Sequence, residues 1–412
     1  MSAAVREPLD VDVAVIGGGM VGASLAAALI GTGVRLLLVE AVPFGASTQP
    51  SFDERTTALG NASRRIFEGL GVWDEIASEA APIRAIHVSD AGRFGSARLT
   101  AEEQGIEALG YVAPNRRIGA ALWGRLAHAA ELILRVPGRV ADLEIDAAGV
   151  RFTLESAAGR EAVAARLAVA ADGAHSQVRT AAGIAAAIED YGQVAVVANA
   201  AVDGPHRGIA YERFTPAGPL AVLPLADGTV SVIWACRGED AARVLALDEA
   251  AWLAELQARF GWRAGRFVRA GRRASYPLAL TRASAPTAVR TVLIGNAAQA
   301  LHPVAGQGFN LGLRDAAMLA EVLANASGDL GAPELIERFA AWRAADRLGV
   351  TRFTDGLVKL FGDPRAGVGL LRNLGLLAFD LMPPAKSALA RVSLGFSGPT
   401  PRLARGLPVR HV

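Results

Sequence analysis

The chain has 412 residues and a formal net charge of +2, from 42 Lys and Arg against 40 Asp and Glu. Two domains with sizeable cores fit that length, and a balanced charge without a Lys/Arg-rich tract excludes a phosphate-backbone tracker, so nucleic acid is not an expected partner. The single cysteine, Cys236, excludes an internal disulfide and predicts a buried, inert thiol in a reducing compartment, while six histidines without metal-ligand spacing predict no metal.

The apolar run from Val11 to Val39 contains five glycines before Thr32 and acidic residues at both ends. It therefore reads as strand, turn, helix and strand, and neither it nor any later segment reads as a membrane span. Asp12 to Ile16 is a short β-branched strand, followed by Gly17-Gly18-Gly19-Met20-Val21-Gly22 and a helical stretch, Ala23 to Ile30. Here GxGxxG stands in its required context. Gly17 allows the tight turn, Gly19 lets backbone approach a pyrophosphate, and Gly22 lets helix and strand pack closely, with the phosphates on the helix amino terminus. A second strand, Val34 to Val39, ends in Glu40, placed to accept hydrogen bonds from an adenosine ribose and to disfavour a 2′-phosphate. These residues alone leave NAD and FAD both open.

Arg166 to Ala171 reads as a strand entering Asp172-Gly173-Ala174-His175-Ser176-Gln177-Val178-Arg179. Thr291 to Ile294 leads into Gly295-Asn296-Ala297-Ala298-Gln299-Ala300-Leu301-His302-Pro303-Val304-Ala305-Gly306-Gln307-Gly308-Phe309-Asn310-Leu311-Gly312. Gly306 and Gly308 let backbone amides reach a ligand, and a helix starting near Asn310 points its positive end inward. Together the two segments resemble the second and third fingerprints of the FAD-dependent aromatic-ring monooxygenases. The third is similar to the ubiquinone-biosynthesis hydroxylases, 2-polyprenyl-6-methoxyphenol hydroxylase in particular. Two weaker matches are Ser51-Phe52-Asp53-Glu54-Arg55-Thr56-Thr57-Ala58-Leu59 and Pro114-Asn115-Arg116-Arg117, and the whole likeness spans about residues 10 to 355.

The resemblance implies bound FAD, with NADPH or NADH as a transient co-substrate and dioxygen delivered to a phenol ring through a flavin hydroperoxide. It places the flavin over Pro303 to Asn310, with Pro303, Gly306 and Gln307 nearest the reacting ring. Residue 296 touches the ribityl chain, Asp172 and Gly173 serve the cofactor, Arg55 lies near flavin or nicotinamide phosphate, and Arg116 beside the FAD. Most of the family has Asp where this chain has Asn296, so an amide replaces a charged contact stronger by about 1 kcal/mol.

Tyr191 to Val202, Gly208 to Phe214, Leu220 to Leu225 and Thr229 to Ala235 read as consecutive strands with turns at Asp203-Gly204-Pro205 and Asp227-Gly228. They predict a mostly antiparallel substrate sheet, with Tyr211, Phe214 and Pro224 as candidate lining. Beyond Glu334 helical patterns run through Arg352 to Phe361 and from Leu370 to Phe379, broken at Pro383-Pro384.

The expected architecture is α/β: a Rossmann-type FAD domain over 10–185, interrupted at about 75–112 by a short substrate-domain insertion; a β-sheet substrate domain over 186–285; the FAD domain resumed over 286–355; and a C-terminal helical segment over 356–412. No His, Cys or Ser constellation suggests protein-borne covalent or acid–base chemistry, which suits a cofactor that carries the reaction. A polyprenyl phenol is the implied substrate. Apolar C-terminal helices with basic punctuation suit either core packing or peripheral contact with the inner face of the cytoplasmic membrane, from a cytoplasmic location. Three readings compete: hydroxylation of another ring position or an unrelated phenol, an organising subunit among other quinone-biosynthesis proteins, and a simple NAD-dependent dehydrogenase, which would leave two fingerprints unexplained.

Overall fold

The computed structural model describes residues 8–46, 55–302, 304–362, 365–382, 384, 386–387, 390–391, 394–396 and 400–410. Five strands form a parallel run in the order Thr291–Leu293, Gly159–Ala170, Leu9–Ile16, Leu36–Val39 and Leu132–Arg135. A parallel strand must be apolar on both faces. Val13 and Val15 accordingly face a core shared with the helices Met20–Leu29 and Gln307–Ala324, while Val11, Ala14 and Ile16 face a second core. The latter is closed by the antiparallel strands Gly138–Ile145 and Val150–Ser156, which the sequence reading did not anticipate.

Nine strands form the second sheet, built around Ala186–Val202, Val230–Arg237, Gly218–Pro224 and Ile209–Thr215. All of its pairings are antiparallel except that of Ile209–Thr215 with Ala85–Asp90. Ala85–Asp90 and Ser96–Thr100 join this sheet from the middle of the first half of the chain. One face packs on the helices Gly238–Ala246 and Glu249–Phe260, where Trp234 meets Trp252. Neither helix was expected, although Asp248 caps the second through Ala251 N at 2.8 Å. Cys236 is buried on this sheet, and burial raises its thiol pKa.

Thr56–Gly60, Gly110–Pro114 and Ala81–Ile83 form a separate small sheet, from which Thr56 Oγ1 donates to Ser231 Oγ of the second sheet at 3.1 Å. The helix Pro333–Gly362 is tied to Gln307–Ala324 by a buried ion network in which Arg343 meets both Asp315 and Asp346, Arg314 meets Asp346, and Arg347 meets Asp315. Ala366–Asp380 follows it and packs on Ser96–Thr100.

Candidate active site

The first glycine loop admits no side chain. Gly17 has φ +106°, and a Cβ there would lie 2.4 Å from Ala171 O; one on Gly22 would lie 1.9 Å from Gly17 O. Gly19 caps the helix Met20–Leu29 in an extended conformation. Glu40, at the end of Leu36–Val39, accepts Gly18 N at 2.6 Å and Val42 N at 2.8 Å. Its carboxylate therefore shapes the loop, and about two of its four acceptor sites are taken.

Asp172 accepts Gln177 N and Val178 N on Oδ2, whereas its buried Oδ1 has no hydrogen-bond partner among the described residues. Burial raises its pKa. Gly173 has φ +85°. Arg179, to which no sequence pattern assigns a role, is buried and bridges the two fingerprints by donating to Ala297 O at 2.9 Å and Ala174 O at 2.8 Å. Asp315 accepts Gly295 N at 3.2 Å, which leaves the neighbouring Asn296 side chain exposed in the cavity described below.

The third fingerprint turns at Gly306, whose φ of +60° is left-handed, and the helix begins at Gln307, three residues before the expected Asn310. Glycine starts the helix earlier because it alone takes the left-handed cap without strain. Asn310 is spent on the fold: it donates to Ala58 O and Gly306 O and accepts from Gly60 N and Ser63 Oγ. Gly306, Gln307 and Gly308 line the cavity. Pro303 lies outside the described residues. Its neighbour His302 is 1% exposed, accepts Val304 N on Nδ1 and meets Gln193 Oε1 through Nε2 at 3.2 Å. Burial lowers its pKa to about 4, so the ring is neutral.

These segments form one end of a cavity of about 1180 Å³. Its floor is the second sheet's free face, including Val88, Leu99, Ala210, Phe214, Ala221 and Ile233. Arg55 lines it with its guanidinium 4.3 Å from the Tyr276 ring centre. Tyr211 and Phe214 are among the lining residues and Pro224 is not. Arg116 is also absent from the lining and pairs with Glu79 at 2.6 Å on the surface.

The roof was not foreseen as part of the site. Leu357, Leu360 and Phe361 on one C-terminal helix, and Val368, Arg372, Leu376 and Phe379 on the next, close the cavity, with Phe361 stacked on Phe214 at 3.6 Å. Their spacing of three and four is that of one helical face, a signal present in the sequence. A polar clamp holds this roof: Asp90 accepts from Arg372 at 2.7 and 2.9 Å and from Asn373 at 3.1 Å, and Arg372 also donates to Leu360 O.

The glycine loop that a Cβ would fill, two helix amino termini and the unpartnered Asp172 oxygen make a donor and acceptor set that fits a dinucleotide. The apolar end fits a hydrophobic ligand from which water is excluded.

Residues 10–354 match the FAD binding domain family. The chain is 40% identical to ubiquinone hydroxylase UbiL of Rhodospirillum rubrum, over 97% of this chain and 93% of that one. It is 32% identical to the 3-demethoxyubiquinol 3-hydroxylase of Escherichia coli, over 93% and 98%. Among solved structures, p-nitrophenol 4-monooxygenase PnpA from Pseudomonas putida superposes with a TM-score of 0.80 at 19% identity, covering 95% of this chain and 99% of that one, a likeness of fold.

Proposed function

The chain belongs to the FAD binding domain family, and from that premise we propose that it hydroxylates the ring of a polyprenyl phenol in ubiquinone biosynthesis. It is an FAD-dependent aromatic-ring monooxygenase, with NAD(P)H and dioxygen as the other reactants. The observation that carries the substrate class is the cavity itself, which joins the glycine-lined end to an apolar chamber roofed by the C-terminal helices.

In this reading Gly17, Gly19 and Gly22 admit the pyrophosphate, Glu40 takes the ribose, and Asp172, Gly173 and Asn296 meet the cofactor's middle. Gly306, Gln307 and Gly308 present backbone to the flavin ring with Pro303 beside it, and Arg55 guides the nicotinamide phosphate. Asn310 acts through the turn it holds, and Arg116, paired with Glu79 outside the cavity lining, serves the FAD from there. When bound, FAD supplies the redox chemistry that activates dioxygen. The protein's share is to orient the ring and keep water out, for which the Phe214–Phe361 stack is well placed. In this reading the FAD domain comprises 10–185, interrupted at about 75–112, and 286–355, the substrate domain 186–285, and the C-terminal helical segment 356–412.

Leu374, Leu377, Leu381 and Met382 are exposed at the roof, and no helix among the described residues is long and apolar enough to cross a membrane. We take these side chains as a peripheral contact through which a lipid-borne substrate enters. Loss of co-sedimentation with anionic liposomes on changing Leu377 and Leu381 to Asp supports it; unchanged sedimentation removes it.

Profiling quinone intermediates in cells lacking the gene, complemented with wild type or Gly19→Val, tests the main reading. One under-hydroxylated polyprenyl phenol should accumulate and vanish only with wild type. Unchanged quinones would move the enzyme to another phenol. Purified protein without flavin that still restored quinone synthesis would favour the organising role among other quinone-biosynthesis proteins.

A further inference from the structure

The even charge balance of the chain hides a local imbalance at one edge of the second sheet. His87 stands between Tyr211 on one neighbouring strand and Arg98 on the other. Arg263 donates to His87 Nε2 at 2.6 Å, and Tyr211 donates to Arg263 O at 2.9 Å. Burial raises the Tyr211 pKa while Arg98, Arg263 and Arg207 all pull it down, which gathers three guanidinium groups about one ring. All three arginines are exposed, and none has a carboxylate partner among the described residues. Two acids nearby are engaged otherwise: Asp380 accepts Arg98 N at 2.8 Å and pairs with Lys386, and Asp203 pairs with Arg266 at 3.6 Å.

Burial first, then the charges of Arg263, Arg98 and Arg213, lower the His87 pKa, so the ring is neutral. Because Nε2 accepts from Arg263, the proton sits on Nδ1, which is buried and has no hydrogen-bond partner among the described residues. Arg207 has a φ of +54°, a left-handed backbone that strains a non-glycine residue and is typical of functional positions. Like charges gathered without a counter-charge repel one another, and the guanidinium fork matches a phosphate through paired hydrogen bonds. The cluster also lies where the cavity meets the surface. Arg98 lines the cavity with Ala97 and Leu99, and Asp380 beside it ends the roof helix on which Leu377 is exposed, with Leu381 and Met382 exposed just beyond. Trp262, next to Arg263, is 70% exposed, and an exposed indole suits the boundary between water and lipid. A phosphate among these arginines has alkyl and indole neighbours, which are the surroundings of a lipid headgroup and not of a soluble ester.

Building on the peripheral-contact reading, we propose that Arg98, Arg207 and Arg263, with the Nδ1 proton of His87, hold the phosphate of an anionic membrane lipid. The exposed leucines then supply the apolar part of the contact and the arginines its orientation. Held in this way, the enzyme rests with Arg98 and the end of the roof helix against the bilayer, which is the side from which a lipid-borne substrate arrives.

The test floats FAD-loaded enzyme with phosphatidylcholine vesicles, made with and without phosphatidylglycerol. Arg207→Gln with Arg263→Gln should weaken binding to the phosphatidylglycerol vesicles on the order of 20-fold, with binding to pure phosphatidylcholine and the content of bound flavin unchanged. Arg125→Gln with Arg139→Gln removes the same charge from exposed sites on the FAD domain and should weaken binding by less than about twofold. Inorganic phosphate should release the wild type at an ionic strength where chloride does not, a check that needs no variant to fold. Equal weakening by both arginine pairs, or equal release by both salts, reduces the attraction to diffuse charge and overturns the site. Thermal protection of the wild type by inorganic phosphate, with vesicle binding unmoved by the Arg207 and Arg263 changes, assigns the cluster to a soluble phosphate ester and overturns the lipid. If Leu377→Asp with Leu381→Asp abolishes vesicle binding while the Arg207 and Arg263 changes leave it intact, the peripheral contact stands and the phosphate site falls. Wild type that binds neither vesicle removes both.

Discussion

The two ends of the cavity are held by opposite means. At the glycine end the backbone itself is the surface: Gly17, Gly22 and Gly306 occupy conformations or clearances that a Cβ would violate, and Asp315 and Arg179 fasten the loops from behind. At the apolar end the backbone stands back and side chains make the surface, with Phe361 on Phe214 and a roof clamped by Arg372 on Asp90. A backbone surface suits a ligand of fixed shape. A side-chain surface can be refitted one residue at a time, which is what a choice of substrate requires.

The sharpest way to break this contrast is Gly22→Val. With Gly17 O 1.9 Å from the added Cβ, the loop must open, at a cost above about 3 kcal/mol. The purified variant should lose bound flavin, measured as the absorbance ratio of cofactor to protein. Retention of full flavin would show that the first helix can withdraw, and that the backbone end is no stiffer than the other.

At the apolar end the corresponding strike is Arg372→Ala. Both partners of the Arg372–Asp90 pair are about 6% exposed, so removing Arg372 leaves the buried Asp90 with Asn373 at 3.1 Å and the more distant Arg93 at 3.6 Å, destabilising by about 3 kcal/mol. Chemical denaturation should show the loss and limited proteolysis should cut first in the C-terminal helices. Replacing both partners together, Asp90→Leu with Arg372→Met, should recover most of it, as packing can substitute for a pair but not for half of one.

His302 stands where the two ends meet, and pH probes it. Its pKa is lowered to about 4 from an ordinary 6.5, so the unfolded chain takes up the proton first as pH falls. Its contribution is complete above about pH 6.5 and declines between there and about pH 4, by about 3 kcal/mol in all. His302→Gln should flatten that part of the stability profile. An unchanged slope would assign the acid sensitivity to other groups.

The glycine end was readable in the sequence because each residue there answers a local demand: Gly17 a positive φ, Asp172 a strand end, Gly306 a turn. What no local pattern shows is the partner remote in sequence: Asn310 is held by Ala58, Gly60 and Ser63, and Arg116 pairs with Glu79. The apolar end follows the second pattern throughout. Leu357, Leu360 and Phe361 announce a helical face, but that this face meets Ile209–Thr215 follows from packing and from one clamp to Asp90, neither of which a local pattern encodes. The helices Gly238–Ala246 and Glu249–Phe260 escaped because the surrounding strand periodicity dominated the segment, although the Asp248 cap was there to be seen.

The smallest change tests whether the glycine end tolerates side-chain tuning at all. Asn296 has its side chain exposed in the cavity, beside a backbone already fixed by Gly295 and Asp315, so Asn296→Asp alters charge and little else. If residue 296 meets a ribityl hydroxyl, a carboxylate accepts that hydrogen bond more strongly than an amide, by about 1 kcal/mol. FAD dissociation should tighten about fivefold, measured by fluorescence recovery on dilution, with the melting temperature of the flavin-free protein unmoved. A shift in that flavin-free melting temperature would mean that residue 296 serves the fold, and that even this exposed position belongs to the backbone's architecture. No change in either would place the ribityl contact on backbone amides, leaving the apolar end as the part of the cavity where side chains decide what is bound.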